Sequence, residues 1–359
     1  MSQSEYYLRE GNANDGPKII ELFRLVFGEI RTLEEWRWRF LDGPVKQLLI
    51  MLALDHSENI VAHYALHPVW MTYRGKKELG AQSLDTMVLP EFRRKGLFGE
   101  TASSCYKLAE KNGIKLLYGL PNEQSYPVFV KRLGWTETTN LLPLYYILNP
   151  QNVIRSRLSN QAGSFLLKRL FTAWLQFKKR AKVRHSKRAS FIKVRQASEF
   201  GEAFDALWSE CRSQFLFGVW KDSKYLKWRY SDIPRKEHQV LQAFHGDRMI
   251  GFMVIGYIRE NGLHVGIIAD LLVCESGEEA INALIEAAHS IFKASRMDMV
   301  KVFLLENSPY WNLFRSEGFS NFWRQGSHTI IKSLGDPAGG ERSFVDGEWH
   351  LTGGDTDSL

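Results

Sequence analysis

An α+β fold in two related halves is what this sequence of 359 residues predicts. Three observations point there. At roughly 150 residues per domain, the length suits two domains. Segments also recur: Trp38-Arg39-Phe40-Leu41-Asp42-Gly43-Pro44 is answered by Trp228-Arg229-Tyr230-Ser231-Asp232-Ile233-Pro234, and Leu84-Asp85-Thr86-Met87-Val88 by Ala269-Asp270-Leu271-Leu272-Val273. The step from Asp85 to Asn122 is 37 residues, as is the step from Asp270 to Asn307. Finally, each half reads strand, helix, several strands, helix, strand, helix, strand, an order that builds a central mixed, mostly antiparallel sheet flanked by helices.

Each half opens on an apolar stretch holding an Arg, Tyr6-Tyr7-Leu8-Arg9 and Phe191-Ile192-Lys193-Val194-Arg195. In the first half, Ile19, Leu22, Phe23, Val26 and Phe27 follow at helical spacing. Strands are expected at 47–54 and 60–72, separated by the turn-forming Asp55-His56-Ser57-Glu58-Asn59. Their counterparts are 239–244 and 249–257, separated by His245-Gly246-Asp247-Arg248. A long helix is expected from about Gly96 to Asn112, then a strand over 114–119 and a short helix ending at Gly134. The expected division is 1–150, a linker at 151–189, a second domain at 190–334 and a tail at 335–359.

Composition excludes several classes. With 44% hydrophobic, 13% aromatic and 24% charged residues the chain is a folded protein rather than a disordered one. Its cysteines, Cys105, Cys211 and Cys274, have no metal-ligand spacing, so no metal is expected. The net charge of +7 is concentrated: 138–198 holds thirteen Lys and Arg and no Asp or Glu, and the rest is mildly acidic. That is a basic connecting segment and not a nucleic-acid groove. Within it, Leu167, Leu170, Phe171, Trp174 and Phe177 form an amphipathic helical stripe followed by a Lys/Arg cluster. Such a segment, 165–188, packs on a core or lies on an anionic membrane face. The first ten residues lack the order of a signal peptide and no apolar run approaches the ~20 residues of a bilayer span. The expected location is the cytoplasm, with peripheral contact at the inner membrane face as the alternative.

Val88-Leu89-Pro90-Glu91-Phe92-Arg93-Arg94-Lys95-Gly96-Leu97-Phe98-Gly99 joins strand to helix. A turn of this kind aims backbone N–H groups and a helix dipole at an anion such as pyrophosphate. It is neither an ATP loop nor a dinucleotide fingerprint. Val88, Pro90, Arg93 and Gly96 match the Val-x-Pro-x-x-Arg/Gln-x-x-Gly-x-Gly/Ala signature, and here the chain resembles the GNAT superfamily of acyl-CoA-dependent N-acyltransferases. Phe98 departs from the signature, with Gly99 next to it. The variant is similar to that of tandem-domain aminoglycoside acetyltransferases. Asn122-Glu123-Gln124-Ser125 and Lys131-Arg132-Leu133-Gly134-Trp135 extend the resemblance.

By that resemblance the donor is acetyl-CoA; the tail and the basic linker add the expectation of a small-molecule amine acceptor, an amino sugar, or a lipid-linked sugar if the basic helix touches membrane. Main-chain groups near Met87 and Val88 would pair with pantetheine. Arg93, Arg94, Lys95, Gly96, Leu97, Phe98 and Gly99 would hold the pyrophosphate, and Asn122 and Ser125 would line the far side. In the second half Glu278 stands where Arg93 does, so one cofactor site is expected. The family's acid, a Tyr, falls here on Phe129 or Val130, which leaves Tyr126 as the nearest substitute; Asp85 is the candidate base. His63 and His67 share a strand face and read more readily as core histidines. In the tail, Trp349 with Asp355 and Asp357 could hold a cationic or sugar-like acceptor. Two alternatives stand beside this reading: a tandem transferase of the cell-wall type fed by aminoacyl-tRNA, and a non-catalytic acyl-CoA-binding protein.

Overall fold

The computed structural model describes residues 5–73, 75–158, 191–235, 237–274, 277–323, 326–334 and 349–356. The basic segment 165–188 and Asp357 lie outside them. The chain forms two compact units. In its described residues the first draws on Met1–Asn140, Phe215–Arg235 and Ser327–Glu348, and the second on Leu141–Gln214, Lys236–Gly326 and Trp349–Leu359.

In the first half the elements are β1 (Tyr6–Glu10), α1 (Gly16–Phe27), α2 (Leu33–Phe40), β2 (Leu49–Asp55), β3 (Ile60–Tyr73), β4 (Lys76–Val88), α3 (Leu97–Lys111), β5 (Leu116–Gly119), α4 (Tyr126–Arg132), β6 (Thr136–Glu137), β7 (Leu141–Ile147) and α5 (Pro150–Leu158). The second half contributes β8 (Ile192–Ala197), α6 (Glu202–Cys211), β9 (Phe217–Val219), α7 (Ser223–Leu226), β10 (Gln239–His245), β11 (Arg248–Glu260), β12 (Leu263–Val273), α8 (Glu278–Ala294), β13 (Met299–Leu305), α9 (Pro309–Ser316) and β14 (Ile330–Ser333). The expected α+β order is present in both halves. Among the helices beyond it, α2 is fixed by a capping box in which Thr32 and Glu35 satisfy each other's backbone N–H groups.

The strands are shared across the contiguous division that the repeat implies. In the first unit they run β1-β2-β3-β4-β5-β14-β6, with β9 added to β3; in the second they run β7-β13-β12-β11-β10-β8. Thus β7, from the first half of the sequence, pairs antiparallel with β13. Reciprocally, β14 from the second half pairs antiparallel with β5 and β6. A strand's alternation dictates which of its faces is buried, but not which sheet receives it.

Two apolar layers sandwich the first sheet. On one face α3 and α4 cover Leu49, Met51, Tyr64, Leu66 and Leu117; on the other α1 and α2 cover Ile50, Leu52, Ala65, Leu84 and Met87. The Trp-Arg motif, read twice in the sequence, is also twice present in this unit. Trp38 and Trp228 stack at 4.9 Å, and each indole N–H donates to the other's backbone carbonyl, at 2.8 and 3.0 Å.

Candidate active site

β4 and β5 run parallel and pair only from Gly80–Leu116 to Ser83–Gly119. Beyond Ser83, β4 continues to Val88 while β5 has ended, so among the described residues the edge of Leu84–Val88 that faces away from β3 has no strand beside it. The opening coincides with a bulge. Leu84 pairs with Ala65 and Met87 with His63, so Asp85 and Thr86 share a single partner position, and Asp85 takes a φ of +50°.

Several groups hold that bulge. The Asp85 backbone carbonyl accepts a 2.7 Å hydrogen bond from His63 Nδ1. Its carboxylate is buried against the Arg31 guanidinium, with one bond at 3.2 Å, and Arg31 lies over the Phe23 ring. Burial pushes the carboxyl pKa up, but the charges of Arg31 and Arg39 outweigh it and leave Asp85 below the ordinary range. A carboxylate so stabilised is a weak base. Asp85 lies in the bulge, with its charge engaged by Arg31.

From Val88 the chain makes a 3₁₀ turn over Pro90–Phe92 and enters α3 through Arg94, φ +65°, and Gly96, φ +91°. Glycine is required at 96 by that angle and not by crowding: a Cβ there would meet only Glu100 Oε1, at 3.4 Å. No side chain caps α3, and the Glu100 N–H is the one that returns to the Gly96 carbonyl, at 3.2 Å. The N–H groups of Leu97, Phe98 and Gly99 therefore precede the helical ladder. Leu97 is buried with Ala53, Val61 and Ala62, which anchors the helix start to the sheet. Phe98, the departure from the signature, packs on Phe129 at 5.2 Å. Nothing lies within 4 Å of where a Cβ on Gly99 would sit. Arg93 Nε donates to the Val88 carbonyl at 3.3 Å, and Lys95 pairs with Glu5.

Across the opening, Asn122 Oδ1 accepts from the backbone N–H groups of Gln124 and Ser125, at 3.1 and 2.9 Å, and forms the turn into α4. Where the strands part, a buried network closes the α3 side: Tyr64 and Ser83 hydroxyls meet at 2.7 Å, Tyr64 and Tyr106 at 3.1 Å, and Trp135 Nε1 donates to Tyr106 at 2.9 Å. Phe129, at the family's expected acid position, is core.

Tyr126 opens α4. Its hydroxyl donates to Glu137 Oε2 at 2.6 Å, and its ring stacks on His328 at 4.0 Å. The hydrogen bond to Glu137 raises the phenol pKa. Sequence reading missed Glu137 and His328. They are 191 residues apart and meet only because β14 joins this unit.

The matching opening in the second unit is filled. β12 and β13 pair only from Val265–Met299 to Ile268–Val302. Past that point Thr352 bridges to Leu304 and its hydroxyl donates to Asp270 at 2.9 Å. Trp349 is buried, and Asp355 caps the Thr352 N–H at 2.9 Å. An acceptor would meet either side chain only after this segment left its seat. The α8 start carries Glu278 and Glu279 in place of the basic turn. Among the described residues, no three His, Cys, Asp or Glu side chains cluster to hold a metal ion, and no helix is long and apolar enough to cross a membrane.

The fold has known relatives. It is similar to a GCN5-related N-acetyltransferase from Anabaena variabilis (TM-score 0.65, 9% identity, 92% of this chain and 73% of that one). A conserved protein from Enterococcus faecalis, described as a probable N-acyltransferase, is similar at TM-score 0.63 and 13% identity, over 92% and 73% of the two chains. Saccharomyces cerevisiae N-myristoyltransferase with bound myristoyl-CoA follows at TM-score 0.58 and 12% identity, over 92% and 83%. No curated protein matches the sequence. These likenesses define the fold. Residues 7–138 match the family described as acetyltransferase (GNAT) domain.

Proposed function

We propose that the protein is an N-acetyltransferase that moves an acetyl group from acetyl-CoA to a primary amine on a small molecule, an amino sugar being the class to try first. One observation carries the donor assignment: the stretch Leu84–Val88, which β5 does not accompany, leads through the Pro90–Phe92 turn to a helix start at Gly96 that no side chain caps. An extended pantetheine arm can pair with such an edge as a strand would, and its diphosphate then meets free N–H groups and the positive end of the α3 dipole. Arg93, Arg94 and Lys95 add charge around it. Met87 contributes main chain to the slot while its side chain is buried in the α1/α2 layer. Asn122 and Ser125 border the side opposite β4.

The hydrogen-bonded floor of Tyr64, Ser83, Tyr106 and Trp135 supports a short acyl group, because a long chain would have to displace groups already bonded to one another. The second unit takes no cofactor on this reading: its opening is filled by Thr352 and its helix start is acidic.

Calorimetric titration with acetyl-CoA and with myristoyl-CoA tests the donor. The expected result is acetyl-CoA binding that is lost in the Arg94→Glu, Lys95→Glu double variant. Retention in that variant, or binding of myristoyl-CoA alone, would overturn the respective part of the reading. Thiol release in a panel of amino sugars and simple amines then identifies the acceptor.

A further inference from the structure

The groups that meet at Glu137 lie beside the end of the strand where the acyl-CoA slot opens. β4 and β5 separate after Ser83–Gly119, and Ile330 pairs with the same Gly119 from the other edge of β5. His328 lies two residues before Ile330 and stacks on Tyr126, the first residue of α4. Ile330 itself stands two strand spacings, about 10 Å, from the line of β4, which brings the neighbouring His328 within reach of an acceptor bound against the slot. Its position is held on both sides: the Thr329 carbonyl accepts from the Thr138 N–H at 2.9 Å, and Ile330 pairs with Glu137.

The arrangement has an orientation. His328 Nδ1 lies 2.5 Å from Glu137 Oε1. A carboxylate only accepts, so Nδ1 donates to it and Nε2 is the ring nitrogen turned away from Glu137. The other Glu137 oxygen accepts from Tyr126, whose ring stacks on the imidazole at 4.0 Å with an interplanar angle of 23°. One carboxylate thereby fixes two rings, while the His328 side chain keeps 41% of its surface exposed. The bond from Tyr126, joined by that from His328, holds the Glu137 carboxyl below its ordinary range and so ionised at neutral pH. On β14, Lys332 is bonded to the Gly134 carbonyl at 3.4 Å.

We infer that His328 is the general base of the transfer, oriented by Glu137, with Tyr126 as a positioning residue. This rests on the acyl-CoA reading of the slot. The amine nitrogen attacks the thioester carbonyl carbon, the N–C bond forms and the C–S bond breaks. The proton leaving nitrogen passes to His328 Nε2 and from there to the departing thiolate, so that amine and acyl-CoA become amide and free coenzyme A and the imidazole is restored.

Two measurements test it. Diethyl pyrocarbonate acylates an accessible, unprotonated imidazole nitrogen; peptide mass mapping should find His328 modified, and saturating acetyl-CoA should slow that modification at least tenfold. With acetyl-CoA and the best amine of the panel, His328→Gln should lower kcat by roughly 100-fold or more while calorimetric affinity for acetyl-CoA stays within twofold. Free imidazole should partly restore His328→Ala, and Glu137→Gln should lower kcat while leaving the KM for acetyl-CoA within twofold. Equal modification with and without acetyl-CoA, or a His328→Gln rate within twofold of the parent, would overturn the base assignment while the donor site stood. If no amine releases thiol, the protection measurement alone decides. Failure of the unmodified protein to bind acetyl-CoA would sink the assignment together with the donor site.

Discussion

The two histidines on β3 have the same tie and the same vacancy. His63 Nδ1 bonds the Asp85 carbonyl, the His67 ring bonds the Arg39 backbone, and in both the buried Nε2 has no hydrogen-bond partner. Burial, then the charges of Arg39 and Arg229, push His67 down to about 3; burial also lowers His63. Both are neutral in the folded protein. As pH falls from about 6.5 toward 3, the unfolded chain binds protons the native state refuses, so stability should decline across that window. Urea unfolding at a series of pH values should show this slope in the parent protein and a shallower one in His67→Phe. Asp85 has the opposite chemistry and the same sign: its carboxyl is depressed, so its contribution is present above the unfolded pKa and is lost as pH drops through the folded one. Removing it strands Arg31, and Asp85→Ala should cost about 3 kcal/mol in equilibrium unfolding.

The α3 start is decided by backbone angle. Gly96 sits at φ +91°, where an L side chain is strained even though space is available. Gly96→Ala should cost about 1 kcal/mol of stability, and a larger share of acetyl-CoA affinity, because relief of the strain turns N–H groups away from the slot. Gly99→Ala tests the other half of the argument. Its position is sterically open within the protein, so folding should be unaffected, and a fall in affinity measured by titration would show a ligand lying over the first helical turn. α2 makes a comparable point about stability: its capping box was available in Thr32-Leu33-Glu34-Glu35, and Thr32→Ala should cost about 1 kcal/mol by denaturant unfolding.

Over the whole molecule, the shared strands make each unit depend on both halves of the chain. A fragment of residues 1–150 would lack β14, whose Ile330 belongs to the α3/α4 core layer, and Trp228, which stacks on Trp38. It should show weak near-ultraviolet circular dichroism and no cooperative thermal transition, while adding residues 190–359 in trans should restore both. Truncation after residue 346 removes Trp349, Leu351 and the Thr352 bond to Asp270, leaving a buried carboxylate without that donor. Differential scanning fluorimetry should register a clear fall in Tm. The expected acetyl-CoA affinity of the surviving folded protein is unchanged, because among the described residues no strand pairing ties that segment to Leu84–Val88.

Reading the residues alone fixed the two-part plan, the order of elements and the basic turn that opens α3, because periodicity, the Trp-Arg repeat and the Gly96 spacing are local properties of the chain. Tertiary structure decided the rest. Which sheet receives β7 and β14, what fills the second opening, and how Tyr126, Glu137 and His328 come together all depend on pairings between residues far apart in sequence. A strand's alternation is the same whichever neighbour it joins, so no local pattern could have announced them.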